Sequence, residues 1–223
     1  MQFRQWFRAL CLVLLSCAAS SAPAWAQVYT DALHEGANEY QIWAGSAPAV
    51  NPSLASITVD EPLTIAGFRY SRVMVASKSK SLQYTMDVIP AAFTNTLDTK
   101  PVCAPVSGNP GAMLCESEAK KKSAYGFGAS PIGMQLNFKR TRRLQPMVNG
   151  TAGFLFFDRQ VPVSGASEFN FAFSVGGGMQ WFITPSRSIT FGGQFHHFSN
   201  AFITNLNPAV DSYFFYAGFS LHR

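Results

Sequence analysis

The stretch Thr190-Phe191-Gly192-Gly193-Gln194-Phe195-His196-His197-Phe198-Ser199 decides how this chain is read, together with Asp211-Ser212-Tyr213-Phe214-Phe215-Tyr216-Ala217-Gly218-Phe219-Ser220-Leu221 after the next loop. Both segments read as β-strands. Side chains alternate across a strand, so Phe191, Gly193, Phe195, His197 and Ser199 share one face. On the second strand Asp211, Tyr213, Phe215, Ala217, Phe219 and Leu221 do the same. Both faces are mainly apolar and aromatic and are expected to touch lipid. Three polar groups interrupt them: His197, Ser199 and Asp211.

The composition carries the same message outward. The chain has 20 phenylalanines, and only 13% of its residues are charged. A soluble domain usually carries about a quarter charged residues, so much of this surface faces something other than water. No apolar run beyond the N-terminus is long enough for a transmembrane helix. Short alternating segments without such a run predict an all-β fold, an eight-stranded antiparallel transmembrane up-and-down β-barrel.

The N-terminus reads as an export signal. Arg4 and Arg8 precede the apolar run Ala9–Ala19, and Ala24-Trp25-Ala26 is a small-x-small cleavage site. The expected division is a signal peptide over 1–26 and an outer-membrane barrel domain over 27–223. Cys17 after Leu14-Leu15-Ser16 is only a weak match to a lipoprotein signal. Export leaves Cys103 and Cys115 in an oxidising compartment, where a disulfide closing a short loop is expected. No histidine lies near them to suggest a metal site.

The formal net charge is +5. Lys139-Arg140-Thr141-Arg142-Arg143 and Lys120-Lys121-Lys122 form two basic clusters. Anionic lipid head groups are conceivable partners, but solvated charge in turns is the plainer reading. Nucleic-acid binding has little support in an exported chain.

Alternation and turn signals predict strands over 38–46, 63–76, 81–92, 124–138, 145–157, 169–183, 188–199 and 211–221. Pro131 within the fourth predicts a bulge or kink. Connections after strands two, four and six are short (77–80, 139–144, 184–187). Those after strands one, three, five and seven are longer, the third spanning roughly Phe93–Ser123. Outer-membrane barrels keep short turns in the periplasm and long loops outside. His197 and Ser199 therefore end strand seven at the outer rim, and Asp211 begins strand eight at the same rim. Charged groups facing lipid cost only about 0–1 kcal/mol there, against more at mid-bilayer.

A serine hydroxyl is a weak nucleophile until a base takes its proton. A histidine two residues away shares its face, and a carboxylate on the neighbouring strand can orient that histidine. Asn200, directly after the serine, offers a backbone or side-chain amide for an oxyanion. Phe195 and Phe215 line the wall where an apolar substrate would lie, with Tyr213 as a further contact. Such chemistry needs no metal or organic cofactor. Histidine and serine two apart also occur by chance, as interfacial polar groups on a hydrated rim.

Other residues read as structural. His196 faces the lumen and is expected in a polar network with Gln194. Asp87 and Glu39 are expected interior charges. Trp43, Trp181, Tyr213 and Tyr216 are candidates for interfacial aromatic girdles. Gly176-Gly177-Gly178 precedes no helix and is not a phosphate loop; it suits a bend or a large neighbour.

His197-Phe198-Ser199-Asn200-Ala201, then Asn207-Pro208-Ala209-Val210-Asp211-Ser212 and a final aromatic strand, resembles the C-terminal signature of the outer-membrane lipid A 3-O-deacylases (PagL-type acyloxyacyl hydrolases). The resemblance implies an eight-stranded barrel that hydrolyses an acyl ester of lipid A in the outer leaflet. It places the family's catalytic histidine and serine on His197 and Ser199, and its acid on Asp211. Two positions depart from the family pattern. Its acid is typically glutamate, one methylene longer than Asp211, and Phe202 stands where a glycine is expected. The alternative from another class is a non-catalytic barrel that is structural or binds a ligand through its long loop.

Overall fold

The computed structural model describes residues 32–48, 61–105 and 113–223. The expected signal peptide lies outside them. Eight strands follow in order: β1 (Asn38–Ala47), β2 (Leu63–Ala76), β3 (Lys80–Pro105), β4 (Met113–Phe138), β5 (Leu144–Val161), β6 (Ser167–Thr184), β7 (Arg187–Ser199) and β8 (Val210–His222). Each pairs antiparallel with the next, and β1 pairs with β8, so the sheet closes without an edge. Closure is what allows a sheet to sit in lipid, because every strand finds hydrogen-bond partners on both sides.

Alternation sorts the side chains as expected. On β1, Tyr40 and Ile42 face out, while Glu39, Gln41 and Trp43 are buried in the lumen. Outward apolar positions such as Phe68, Phe127, Ile132, Val148, Phe171 and Phe215 give the wall its apolar coat.

The lumen is packed, as the narrow interior of an eight-stranded barrel requires. A cluster including Phe157, Phe198, Phe214, Leu155 and Val161 fills its upper part. Below it, Arg69 holds Asp87 through two hydrogen bonds of 2.7 and 2.8 Å, and the Trp43 indole donates to the same carboxylate. Lower still, Asn137 receives Gln83 and donates to Gln180. Gln180 in turn donates to Glu39 and Ser188, and Ser188 meets His222. This chain ties β1, β3, β4, β6, β7 and β8 together across the interior. A buried polar group is costly unless it is bonded, so each such link also fixes register.

Three expectations are corrected. The segment Phe93–Ser123 is not mainly loop: β3 and β4 continue as a paired hairpin through Thr94↔Ala124 to Pro105↔Met113. The inward positions Thr94 and Thr96 of this extension are buried but polar, so the hydrophobic alternation that marks a strand disappears. The connection after β5 is correspondingly short, because β5 and β6 extend to Val161 and Ser167. Trp43 and Tyr216 belong to the lumen rather than to a girdle; both are buried, and only Trp181 and Tyr213 of the four face out. Gly192 makes room for Tyr216, whose hydroxyl would lie 2.9 Å from a Cβ at that position. The register shift around Pro131, between Ala129 and Ile132, is the expected bulge.

Candidate functional site

β7 and β8 pair from Arg187↔Leu221 to Phe198↔Val210, which sets His197 directly opposite Asp211. Their side chains meet on the outer wall, with His197 Nδ1 2.6 Å from Asp211 Oδ1. Two residues along the same face, Ser199 Oγ lies 3.2 Å from His197 Nε2. An ionised carboxylate can only accept, so the shared proton sits on Nδ1. Nε2 is then an acceptor for the serine hydroxyl. The direct cross-strand pairing also explains why the shorter aspartate reaches the ring. The Asp211 side chain is fully covered, while that of His197 keeps 20% of its surface exposed.

The inward residues of β7 hold the outward ones in place. His196 Nδ1 lies 2.7 Å from Ser174 Oγ, not against Gln194 as expected. Phe198 is fully buried, its ring centroid 5.8 Å from that of Phe157. Since His197 and Ser199 alternate with these anchors, their backbone is fixed from inside the barrel. From the other side, Phe173 faces His197 on β6 and stacks on its ring at 4.9 Å and 30°. The sequence reading missed Phe173. Its outward alternation with Phe171 was visible, but its register against His197 was not.

Below the three polar groups a groove of ≈ 170 Å³ runs along the wall, lined among others by Val175, Gly193, Phe195, Tyr213 and Phe215. The expected apolar contacts Phe195, Tyr213 and Phe215 thus share one trough. Its depth comes from Gly193, which pairs with Gly177 across to β6, so that two adjacent outward positions lack side chains.

Asn200 is fully buried. Its side-chain amide donates to Thr204 Oγ1 at 3.0 Å and to the Leu206 carbonyl at 2.8 Å. Its carbonyl accepts from the Ile203 amide. The side chain therefore shapes the β7–β8 loop. Ala201 and Phe202 follow with φ of 49° and 63°. Phe202 thus occupies the left-handed region that favours glycine, and its ring is 79% exposed. Cys103 and Cys115 face each other in the outer β3–β4 hairpin and are joined by a disulfide. Among the described residues no cluster of three or more His, Cys, Asp or Glu side chains is arranged to hold a metal ion.

A closed, plugged barrel with an apolar coat defines the class: an outer-membrane β-barrel protein, here with an acid–imidazole–hydroxyl chain on its lipid-facing wall. The family described as lipid A 3-O-deacylase (PagL) matches residues 102–220, more than half of the sequence, and the chain belongs to that family. No curated protein sequence matches it. Among solved structures, the outer membrane enzyme PagL is similar with a TM-score of 0.51 at 13% identity, covering 81% of this chain and 97% of that one. The outer membrane protein OprG from Pseudomonas aeruginosa gives 0.49 at 11% identity, covering 85% and 96%. At 13% identity the likeness to PagL speaks for the fold. The barrel resides in the outer membrane, and membership of the family makes lipid A its substrate.

Proposed function

We propose that the chain is a serine esterase that removes an ester-linked acyl chain from lipid A, at the 3-O position, using Ser199, His197 and Asp211. The observation that carries this reading is the continuous relay, 2.6 Å from carboxylate to imidazole and 3.2 Å from imidazole to hydroxyl, on the face that meets lipid. Ser199 Oγ attacks the ester carbonyl while His197 Nε2 takes its proton. Asp211 stabilises the imidazolium and holds the ring in the useful tautomer. The tetrahedral intermediate collapses, the carbon–oxygen bond to the sugar breaks, and His197 returns the proton to the leaving sugar oxygen. Water then attacks the acyl-enzyme by the same relay and releases the fatty acid. With the Asn200 side chain engaged in its loop, the oxyanion falls to backbone N–H groups such as that of Asn200.

Placement near the rim suits this substrate. The ester of a lipid A chain lies where sugar meets hydrocarbon, and the trough below Ser199 would accept the acyl tail beside Phe195, Tyr213 and Phe215. The test is mass spectrometry of lipid A from cells carrying the wild type, Ser199→Ala or an empty vector. Loss of one ester-linked chain with the wild type alone is expected. An identical lipid profile in all three would instead support a non-catalytic barrel.

A further inference from the structure

The end of the barrel opposite the relay has its own site. The β2–β3 turn (77–79) and the β4–β5 turn (139–143) lie at the short-turn rim, which is the periplasmic side by the loop rule. Between them and the outer wall is an open cavity of ≈ 750 Å³. Lys78, Lys139 and Arg142 line its head, and Leu144, Trp181 and Phe191 line its lower wall. All six are exposed. Arg143 is fixed at the junction: its Nε donates to the Phe182 carbonyl, and its guanidinium lies 5.5 Å from the Trp181 ring centroid.

The two basic clusters differ in their surroundings. At the outer rim Lys121 pairs with Glu61 at 2.9 Å and Lys122 with Asp98 at 2.5 Å. Among the described residues, Lys78, Lys139 and Arg142 have no ion-pair partner. Glu39, an acid on the neighbouring end of β1, faces the lumen and accepts from Gln180. Lys78, Lys139 and Arg142 therefore stand without an ion pair among the described residues, beside a tryptophan and two apolar side chains that face the bilayer. A tryptophan at that depth marks the head-group level.

We infer that this cavity binds an anionic glycerophospholipid of the periplasmic leaflet, its phosphate between Lys78, Lys139 and Arg142 and its acyl chain along Leu144, Trp181 and Phe191. Both halves of such a molecule are matched: an anion for the cations and a hydrocarbon tail for the wall below. The site is independent of the relay and anchors the barrel in the leaflet that its substrate does not occupy. Cations next to an anionic leaflet contribute about 1 kcal/mol each, roughly a fivefold change in affinity.

Trp181 supplies the readout, since it faces lipid while Trp43 is buried in the lumen. The mature barrel is reconstituted in bilayers of phosphatidylcholine mixed with phosphatidylglycerol, one of the two carrying brominated chains that quench tryptophan on contact. The quenching ratio gives relative affinity at the Trp181 wall. The wild type is expected to favour phosphatidylglycerol by tenfold or more. The triple variant Lys78→Gln, Lys139→Gln, Arg142→Gln should show no preference, yet keep its heat-modifiable fold and its rate of fatty-acid release. Neutralising Lys120, Lys121 and Lys122 should leave the preference intact. Equal quenching by both lipids in the wild type would overturn the inference. So would an unchanged preference in the triple variant, or equal loss in the Lys120–Lys122 variant.

Discussion

β7 carries two histidine–serine contacts back to back, one on each face of the strand. His196 meets Ser174 at 2.7 Å inside the barrel, and His197 meets Ser199 at 3.2 Å outside it. The inner pair is the shorter. It is also buried among aromatic rings, 5.9 Å from Phe214 and 6.3 Å from Phe198 between centroids, where no lipid can approach. The outer pair has Asp211 behind the imidazole and an apolar trough beneath the hydroxyl. One residue of displacement along a strand moves a side chain from a packing role to a wall exposed to substrate. A histidine–serine contact therefore says little by itself. The third group and the face decide what it can do.

The comparison breaks most readily at the two serines. Ser199→Ala should lower fatty-acid release by about 10⁶-fold, the scale for losing the serine of such a triad, which leaves only the surrounding binding interactions. Ser174→Ala should leave the rate within about twofold. It should instead destabilise the barrel by about 1–3 kcal/mol, because His196 Nδ1 loses its partner in the lumen. Release assays and unfolding in detergent measure the two effects. Equal kinetic loss from both substitutions would erase the distinction between the faces.

Asp211→Asn comes next. It keeps the shape but favours the wrong tautomer, and about 10⁴-fold loss is the scale for that change in a serine triad. Gly193→Leu should act more mildly, about tenfold. A Cβ there would lie 3.4 Å from the Phe215 ring, so the variant folds without a backbone clash while its side chain fills the trough. Long-chain esters should lose rate, and short-chain esters should keep theirs. Comparing the two chain lengths in one assay separates a blocked groove from a damaged relay.

The smallest effect is expected at Phe202. A non-glycine residue in the left-handed region costs about 1–2 kcal/mol, and this ring is too exposed to recover much of that by packing. Phe202→Gly should raise stability by about 1 kcal/mol, read as a higher midpoint of thermal unfolding. A lower midpoint would mean that the exposed ring does something the left-handed backbone obscures.

The legibility of the chain varied with its surroundings. Thirteen of the sixteen strand ends fell within two residues of expectation, because lipid on one side and a packed lumen on the other impose a period of two. β3 and β4 were read short beyond Ala92 and before Ala124, where polar Thr94 and Thr96 take the buried positions and Lys120, Lys121 and Lys122 are all exposed, so no apolar–polar period marks the strands. Trp43 and Tyr216 were assigned by residue type, although parity along their strands put them inside.

His197, Ser199 and Asp211 could be placed on outward faces from the sequence alone, because pleating alternates side chains without regard to the rest of the fold. So could the eight-stranded barrel, since sparse charge and many short alternating segments leave few other ways to satisfy a backbone in lipid. Only the tertiary structure decided that His197 stands opposite both Asp211 and Phe173. Register between strands depends on lumenal partners far apart in sequence, such as Asn137 with Gln180 and Arg69 with Asp87. The same holds for the cavity at the short-turn rim. Its cations come from two turns some sixty residues apart, and only closure of the cylinder brings them beside Trp181.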